Sequence, residues 1–332
     1  AKFFWDKEKS MNLIKQVGKL KAITFYDKLG TVFDKTQRLR KLAGFISDEL
    51  NINKEKTQLA ASIAKADLCS EIVGEYPELQ GVMGKYFALS QGFETEVADS
   101  ISDHYLPVGI MSPVPKKPIS YSISIIDKLD SLVGFFLINE KPTSSKDPFA
   151  LRRAAIGLLR IIIENNLTIN IRDIINHAIR LFEEQGVEIK NKNVENEILG
   201  FLKERMRNIL KEKKIKSDII EASIHSHDGD NYLDLVKKNI LMNKYIFEEL
   251  GTNIISSYKR AFNIINNEKK GIIGRPDAVL FRKEEEKVLF DKINEIRKGF
   301  TVKEDKKNYE NLLIQMSEIK PFTDNFFDNV KV

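Results

Sequence analysis

The stretch KPTSSKDPFALRRAAIGLLRIII, residues 141–163, contains the clearest helix of the sequence. Asp147 and Pro148 indicate its start, because an aspartate side chain can cap a helix and proline fits the first helical position, where no N–H is needed. We therefore predict an amphipathic helix over residues 148–165. Its apolar side chains recur at helical spacing and form one stripe that should pack against a core: Leu151, Ala154, Ala155, Leu158, Leu159 and Ile162.

The same helix also carries three arginines. Arg152 and Arg153 come directly after the start, where the helix dipole favours anions rather than cations. Arg153 and Arg160 share the face opposite the apolar stripe. Such a face is either the solvated back of a core helix or a surface for an acidic partner, and the periodicity alone does not decide between them.

Helical periodicity dominates the rest of the chain as well. It recurs in segments such as 10–24, 57–73 and 194–213, whereas no run alternates with period two for long enough to suggest a sheet. Proline and glycine separate these segments, most densely in the loop at residues 107–118, which holds four of the nine prolines. The sequence therefore predicts an all-α protein.

Composition limits the class of protein without identifying it. A chain of 332 residues is long enough for two or three domains. Lys and Arg exceed Asp and Glu by 53 to 48, and the net charge of +5 permits a nucleic-acid partner without requiring one. The single cysteine, Cys69, excludes an internal disulfide and fits a reducing cytoplasm. The chain opens without a methionine, and we expect it to be a fragment.

Two aspartates lie inside otherwise apolar segments. Asp67 and Asp127 each need a metal ion, a cation or hydrogen-bond donors if they are buried, and together with His104 they resemble the remnant of a metal site. The longest apolar region contains Asp127, Lys128 and Asp130, so it predicts no membrane span. Its periodicity predicts an amphipathic helix over residues 119–137. Gly81 and Gly84 would allow another segment to approach closely.

Other candidate sites give weaker signals. The HSHD sequence at residues 225–228 has two imidazoles and a carboxylate, but no further His or Cys lies near it in the sequence. Cys69 has no histidine partner nearby and is better explained as a small core residue than as a nucleophile. No glycine-rich phosphate loop is present, so the sequence contains no recognisable ATP site.

Basic clusters are the remaining candidates for function. They place cations on helix faces or beside aromatic rings, as phosphate contacts and stacking on unpaired bases require. Each cluster taken alone is more often a solvated surface. The candidate RNA-binding residues are Lys146, Arg152, Arg153, Arg160, Arg205, Arg207, Lys259 and Arg260.

Several blocks of this sequence resemble, in the same order, blocks of the beta subunit of the bacterial tetrameric glycyl-tRNA synthetase. The most specific of them is DPFALRRAA, within residues 147–155. The chains of that family are longer, and this sequence looks like their C-terminal half. The blocks are AKFFWDKE, LKAITFYDKLGTVFDKTQRLRKLA, AKADL, GEYPELQGVMGKYFA, DHYLP, IIDKLDSLVGFF, KPTSSKDPFALRRAAIGLLRI, SYKRAFNII, GRPDAVLF and FFDNVKV.

The resemblance implies a division of the chain. Residues 1–34 would end an upstream region, and residues 35–165 would form a helical domain of the HD type. Residues 166–235 would be a helical linker segment. Residues 236–332 would be an anticodon-binding helical bundle that is incomplete at its C-terminal end. Lys259 and Arg260 fall in a block of that bundle, which favours tRNA contact for both.

An active HD-type domain binds a metal through a His, a His-Asp pair and a later Asp. By resemblance Lys41 stands at the first His, Ala66 and Asp67 at the pair, and Asp127 at the last Asp. Both imidazoles are missing, and a lysine repels a cation, so we expect no metal at this site. We expect instead a cluster in which Lys41 pairs with Asp67 and Asp127.

The resemblance also implies a function. In the family the alpha subunit holds the aminoacylation centre and uses ATP and Mg²⁺, whereas the beta subunit binds tRNA-Gly within a cytoplasmic α2β2 tetramer. This chain would then be a tRNA-binding and assembly region without catalytic residues or a cofactor of its own. The alternatives are an HD-domain metal-dependent phosphohydrolase and a purely structural helical scaffold.

Overall fold

The computed structural model describes residues 2–109, 111–143, 146–226, 231–267, 276–301 and 309–330. Apart from one short hairpin, the regular structure of these ranges is helical, and the predicted all-α class is confirmed. Within them, no helix is long and apolar enough to cross a membrane.

The helices are numbered in chain order. The first are α1 (Lys2–Glu8), α2 (Leu13–Val17), α3 (Val32–Leu50), α4 (Lys54–Ile63), α5 (Glu71–Glu75), α6 (Val82–Ser90), α7 (Thr95–Asp103), α8 (Pro118–Leu137), α9 (Leu151–Glu164), α10 (Ile171–Glu184) and α11 (Val194–Glu212). They are followed by α12 (Ser217–Ser226), α13 (Tyr232–Tyr245), α14 (Glu249–Asn267), α15 (Glu284–Thr301), α16 (Tyr309–Ser317) and α17 (Ile319–Asn329).

The hairpin corrects one prediction. The helix expected over residues 10–24 ends at Val17 and is followed by a 3-10 turn and by strand β1 (Thr24–Tyr26). Strand β1 pairs antiparallel with β2 (Gly30–Thr31), with Thr24 opposite Thr31. The rings of Phe25 and Tyr26 both pack on Phe135 of α8. This aromatic packing outweighs the local helical periodicity, because burial of rings is worth more than helix propensity.

Contacts divide the chain into two compact units. The first contains residues 1–213 and 224–235, and the second contains residues 214–223 and 236–332. The segment expected as a linker begins with α10 and α11, and within the first unit these helices pack on α8 and α9. In the second unit, α14 and α15 both pack on α16 and α17.

Helix α8 is the centre of the first unit. It packs against α3, α7, α9 and α10, and a helix surrounded on several sides must be apolar around most of its circumference. Ile123, Ile126, Leu129 and Leu132 are fully buried. The helix predicted over residues 119–137 is thus present, but it is buried around most of its circumference rather than amphipathic.

Helix α9 begins three residues later than predicted. Pro148, Phe149 and Ala150 form a turn in which Ala150 adopts a left-handed conformation with φ of 52°. The carboxylate of Asp147 nevertheless caps the helix, since it accepts the backbone N–H groups of Leu151 at 2.8 Å and Arg152 at 3.0 Å. The predicted stripe faces the core: its members are buried except for Ala154, which is half-buried.

We expect the cap and the stripe of α9 to differ in their contribution to stability. Asp147→Ala removes the acceptor for two N–H groups and should cost about 0.5–2 kcal/mol. Leu158→Ala leaves a cavity in the core and should cost about 2–5 kcal/mol. Urea denaturation followed by circular dichroism measures both free energies of unfolding. Thr168→Ala, an exposed position after α9, is the control and should change little. The reverse order of the two costs would contradict the packing of α9.

Candidate nucleic-acid interface

A cleft of about 450 Å³ lies along the N-terminal half of α9. One wall is the loop Pro107–Gly109, and the other is α9 itself, which contributes Arg152, Arg153 and Arg160. The floor includes Ile156 and Gly157. We call this cavity the arginine cleft. It unites two segments that are more than 40 residues apart in the sequence.

The three arginines of the cleft have different surroundings. Arg152 donates to the carbonyl oxygen of Thr143. Arg160 donates through Nε to Glu164 at 2.8 Å and through Nη1 to the carbonyl oxygen of Gly109 at 3.3 Å. Arg153 is exposed, and no other described residue pairs with its guanidinium. Arg152 and Arg160 therefore fix the shape of the cleft, and Arg153 is the cation available to a ligand.

A buried lysine forms hydrogen bonds with the segment that leads into the Pro107–Gly109 loop. Lys128 of α8 donates from Nζ to the carbonyl oxygens of His104 at 3.3 Å and Leu106 at 2.8 Å, and to Ser124 Oγ at 2.7 Å. Burial lowers the pKa of Lys128 to about 8. A Cβ at Gly157 would lie 3.0 Å from Lys128 Cε and 3.3 Å from Pro107. Sequence reasoning missed this role, although a lysine inside an apolar run was the signal for it.

The expected cluster around Lys41 is wrong. Lys41 is exposed and pairs with Glu184 of α10 at 2.6 Å, because it lies on the side of α3 that faces α10. Asp127 is instead 3.2 Å from the Nζ of Lys35 and 3.4 Å from that of Lys65. Burial alone would raise the pKa of Asp127, but Lys35 and Lys65 hold it well below its usual value.

A second buried carboxylate lies on the same helix. Asp130 accepts Arg38 Nε at 2.6 Å and Nη2 at 3.0 Å, and Lys35 Nζ at 3.0 Å. Arg38 and Lys35 are themselves buried, so the charge of Asp130 is compensated at close range by these two cations, of which Lys35 also pairs with Asp127. Cations therefore neutralise the aspartates of α8, but they come from Lys35, Arg38 and Lys65.

Asp67 is held by hydrogen-bond donors. Its Oδ2 accepts the backbone N–H groups of Gly81 at 2.6 Å and Gly84 at 3.2 Å. A Cβ at Gly84 would lie 2.5 Å from Ile101 and 3.0 Å from the Asp67 carboxylate, so only glycine permits this approach. The close approach predicted for the glycine pair is confirmed. Ala66 is buried beside Asp67.

No group of three or more His, Cys, Asp or Glu side chains could hold a metal ion among the described residues. Within the HSHD sequence, His225 lies in the last turn of α12, whereas His227 and Asp228 lie outside the described residues. Burial lowers the pKa of His104 well below its usual value, and burial raises the pKa of the half-buried Cys69 thiol. The expected absence of a metal stays a prediction.

The remaining candidate cations differ in their surroundings. Arg205 pairs with Glu204 and lies over the Phe201 ring, and Arg207 is half-buried. Lys146 is exposed but does not line the cleft. In the second unit, Arg260 pairs with Asp324 at 3.1 Å and Asp328 at 2.6 Å, and so joins α14 to α17. Lys259 beside it is exposed, without a partner among the described residues.

The buried charges around Asp130 predict that two substitutions lower the free energy of unfolding by very different amounts. Asp130→Ala leaves Arg38 and Lys35 buried without their shared anion, and we expect it to cost about 3–5 kcal/mol of the free energy of unfolding. Lys41→Ala removes an exposed ion pair and should cost about 0–1 kcal/mol. Urea denaturation measures both values. Equal costs would show that Asp130 is not the anion on which the buried cations depend.

Comparison with known proteins identifies the family. The family described as glycyl-tRNA synthetase beta subunit matches residues 1–225. The glycine–tRNA ligase beta subunit of Phenylobacterium zucineum is 35% identical over 339 residues, which cover all of this chain and 48% of that protein. Those of Rickettsia canadensis and Rhodospirillum centenum are 38% and 34% identical over 100% of this chain and 48% and 47% of their own lengths. The chain thus spans about half the length of these relatives, and it belongs to the glycyl-tRNA synthetase beta subunit family.

Proposed function

We propose that this chain is a tRNA-binding and assembly region of a glycyl-tRNA synthetase beta subunit. In this role it supports the attachment of glycine to tRNA-Gly by an alpha subunit, with which it forms an α2β2 tetramer in the cytoplasm. The alpha subunit supplies the reaction centre and uses ATP and Mg²⁺, and this chain contributes no catalytic residue. The observation that carries the proposal is the exposed guanidinium of Arg153 inside the arginine cleft, with which no other residue in the described ranges pairs.

The chemistry of the cleft suits a phosphate group. A guanidinium presents planar, parallel N–H donors that match two phosphate oxygens, and it stays charged at any physiological pH. Arg152 adds positive potential at the same cleft, whereas the charge of Arg160 is paired with Glu164, and hydrogen bonds keep both side chains in place. A phosphate bound by Arg153 would therefore require little reordering of side chains, which lowers the entropic cost of binding.

A second contact is proposed on α14. Lys259 is exposed beside the exposed ring of Tyr258, so an ammonium group and an aromatic ring are offered to the same partner. Arg260 was expected to share this role, but its two ion pairs with α17 make it a structural residue. We therefore assign tRNA contact in the second unit to Lys259 rather than to both cations.

The phosphohydrolase alternative is disfavoured by charge. A hydrolytic metal ion at Asp127 would lie within a few ångströms of the ammonium groups of Lys35 and Lys65. Two positive groups this close oppose the binding of a third. A purely structural scaffold is the remaining alternative, and the salt dependence of tRNA binding distinguishes it from the proposed function.

Arg153→Ala should weaken binding of tRNA-Gly by the beta subunit in complex with its alpha partner. Loss of one phosphate contact should also make the plot of log K against log salt shallower by about 0.7–0.9. Arg180→Ala is the matched control, since Arg180 is an exposed arginine of α10 outside the cleft. Binding measured across a salt series tests both variants. An unchanged affinity and slope in Arg153→Ala would favour the scaffold.

Lys259→Ala and Arg260→Ala should have different effects: the first should mainly reduce tRNA-Gly binding, and the second should mainly reduce the stability of the fold. Lys259→Ala should weaken tRNA-Gly binding, reduce the salt slope and blunt discrimination against a tRNA with another anticodon, at unchanged stability. Arg260→Ala should lose ion pairs that are partly exposed, so it should lower the free energy of unfolding slightly and affect binding less than Lys259→Ala does. Anticodon discrimination should stay intact in Arg153→Ala. Equal binding losses in the two α14 variants would contradict the structural role of Arg260.

A further inference from the structure

We infer that the arginine cleft is one end of a groove that takes unpaired nucleotides, so that the RNA element it binds is single-stranded rather than duplex. This inference rests on the proposed function. A second cavity, of about 230 Å³, adjoins the cleft and shares Ile156 and Arg160 with it. It continues between the C-terminal half of α9 and the end of α11, where Ile163 and Ile209 line it. We call the two cavities together the α9 groove.

The dimensions of the α9 groove favour single-stranded RNA over an RNA duplex. From Arg153 to Ile163 the axis of α9 rises about 15 Å, at 1.5 Å per residue. A concave site of this size admits single nucleotides, whereas an A-form duplex presents its phosphates on the outside of a wide cylinder with its bases stacked inside. Unpaired nucleotides can turn their bases into a cavity and leave the phosphates at its rim.

The lining of the α9 groove has the composition that bases require. At its rim Val108 is 60% exposed and Met111 is 94% exposed, which leaves two apolar side chains in water beside cations. Inside the groove, Ile156, Ile163 and Ile209 add apolar surface. Phosphate groups gain nothing from contact with these apolar side chains, whereas the faces of unstacked bases pack on them favourably.

The polar residues of the groove fit the same ligand. Arg160 lies where the two cavities meet, and its hydrogen bonds to Gly109 and Glu164 hold the guanidinium plane in place. Such a plane can stack on a base as well as pair with a phosphate. At the far end Asn208 offers an amide for a base edge, and Glu212 and Lys213 lie beside it. This mixture of charges suits base and phosphate contacts together better than phosphate contacts alone.

The test compares two RNA ligands by fluorescence anisotropy. One is an unstructured single strand of about 12 nucleotides, within the range of known single-strand sites, and the other is a blunt duplex of the same length. We expect the chain to bind the single strand more tightly. The double variant Val108→Ser with Met111→Ser should weaken single-strand binding by about fivefold or more, as for loss of one stacking contact, and leave duplex binding unchanged. Both side chains are exposed, so the variant should keep its fold.

The control for this variant is Val82→Ser, which removes an exposed apolar side chain of α6 outside the groove and should leave the binding of both RNA ligands unchanged. Equal or tighter binding of the duplex would overturn the inference, and so would unchanged single-strand binding in the double variant. If the double variant instead loses the alpha subunit and keeps the RNA, the groove is a protein interface and the inference is wrong. Weaker tRNA-Gly binding in Arg153→Ala, with no effect of the double variant, would leave the proposed function standing without the inference.

Discussion

The fold of the first unit depends on the buried charge of Asp130. This carboxylate lies on the central helix α8, and burial by itself would raise its pKa. Arg38 and Lys35 of α3 hold the pKa below its usual value and so keep the group ionised. The same Arg38 lies 3.9 Å over the Phe182 ring of α10 and donates to Gln185. One carboxylate thus fixes the position of α3 and α10 against α8, because each buried charge requires its partner at hydrogen-bonding distance.

The arginine cleft is built on that helix. Lys128, two residues before Asp130, holds the loop at residues 104–107 from below, while the apolar stripe of α9 packs on α8 from the other side. The arginines of α9 must then face away from α8, and the loop meets them across the cleft. The buried surface of the helix therefore determines where its cations lie, and the position of the candidate site follows from core packing.

Ion pairing, rather than net charge, decides which cations are available to a ligand. Lys35, Arg38 and Lys128 have internal partners and stabilise the fold. Arg153 and Lys259 are exposed, and no described residue pairs with either one. The net charge of +5 does not show this difference, because it counts cations with internal partners and exposed cations in the same way. Both available cations lie next to residues of the same charge type that have partners, so composition and spacing could not separate them.

The sequence by itself determined the helical class, the apolar face and aspartate cap of α9, the helix at α8 and the close approach at Gly81 and Gly84. These features follow from periodicity and from the chemistry of single residues, which act over a few positions of the chain. Tertiary structure alone decided the partners of the buried carboxylates, the hairpin that replaces the end of a predicted helix, and the different surroundings of Lys259 and Arg260. Arg38 and Asp130 are 92 residues apart, and Arg260 and Asp328 are 68 apart. A helical pattern predicts which face of a helix is buried, but the ion pair that forms there depends on the helix that packs against it.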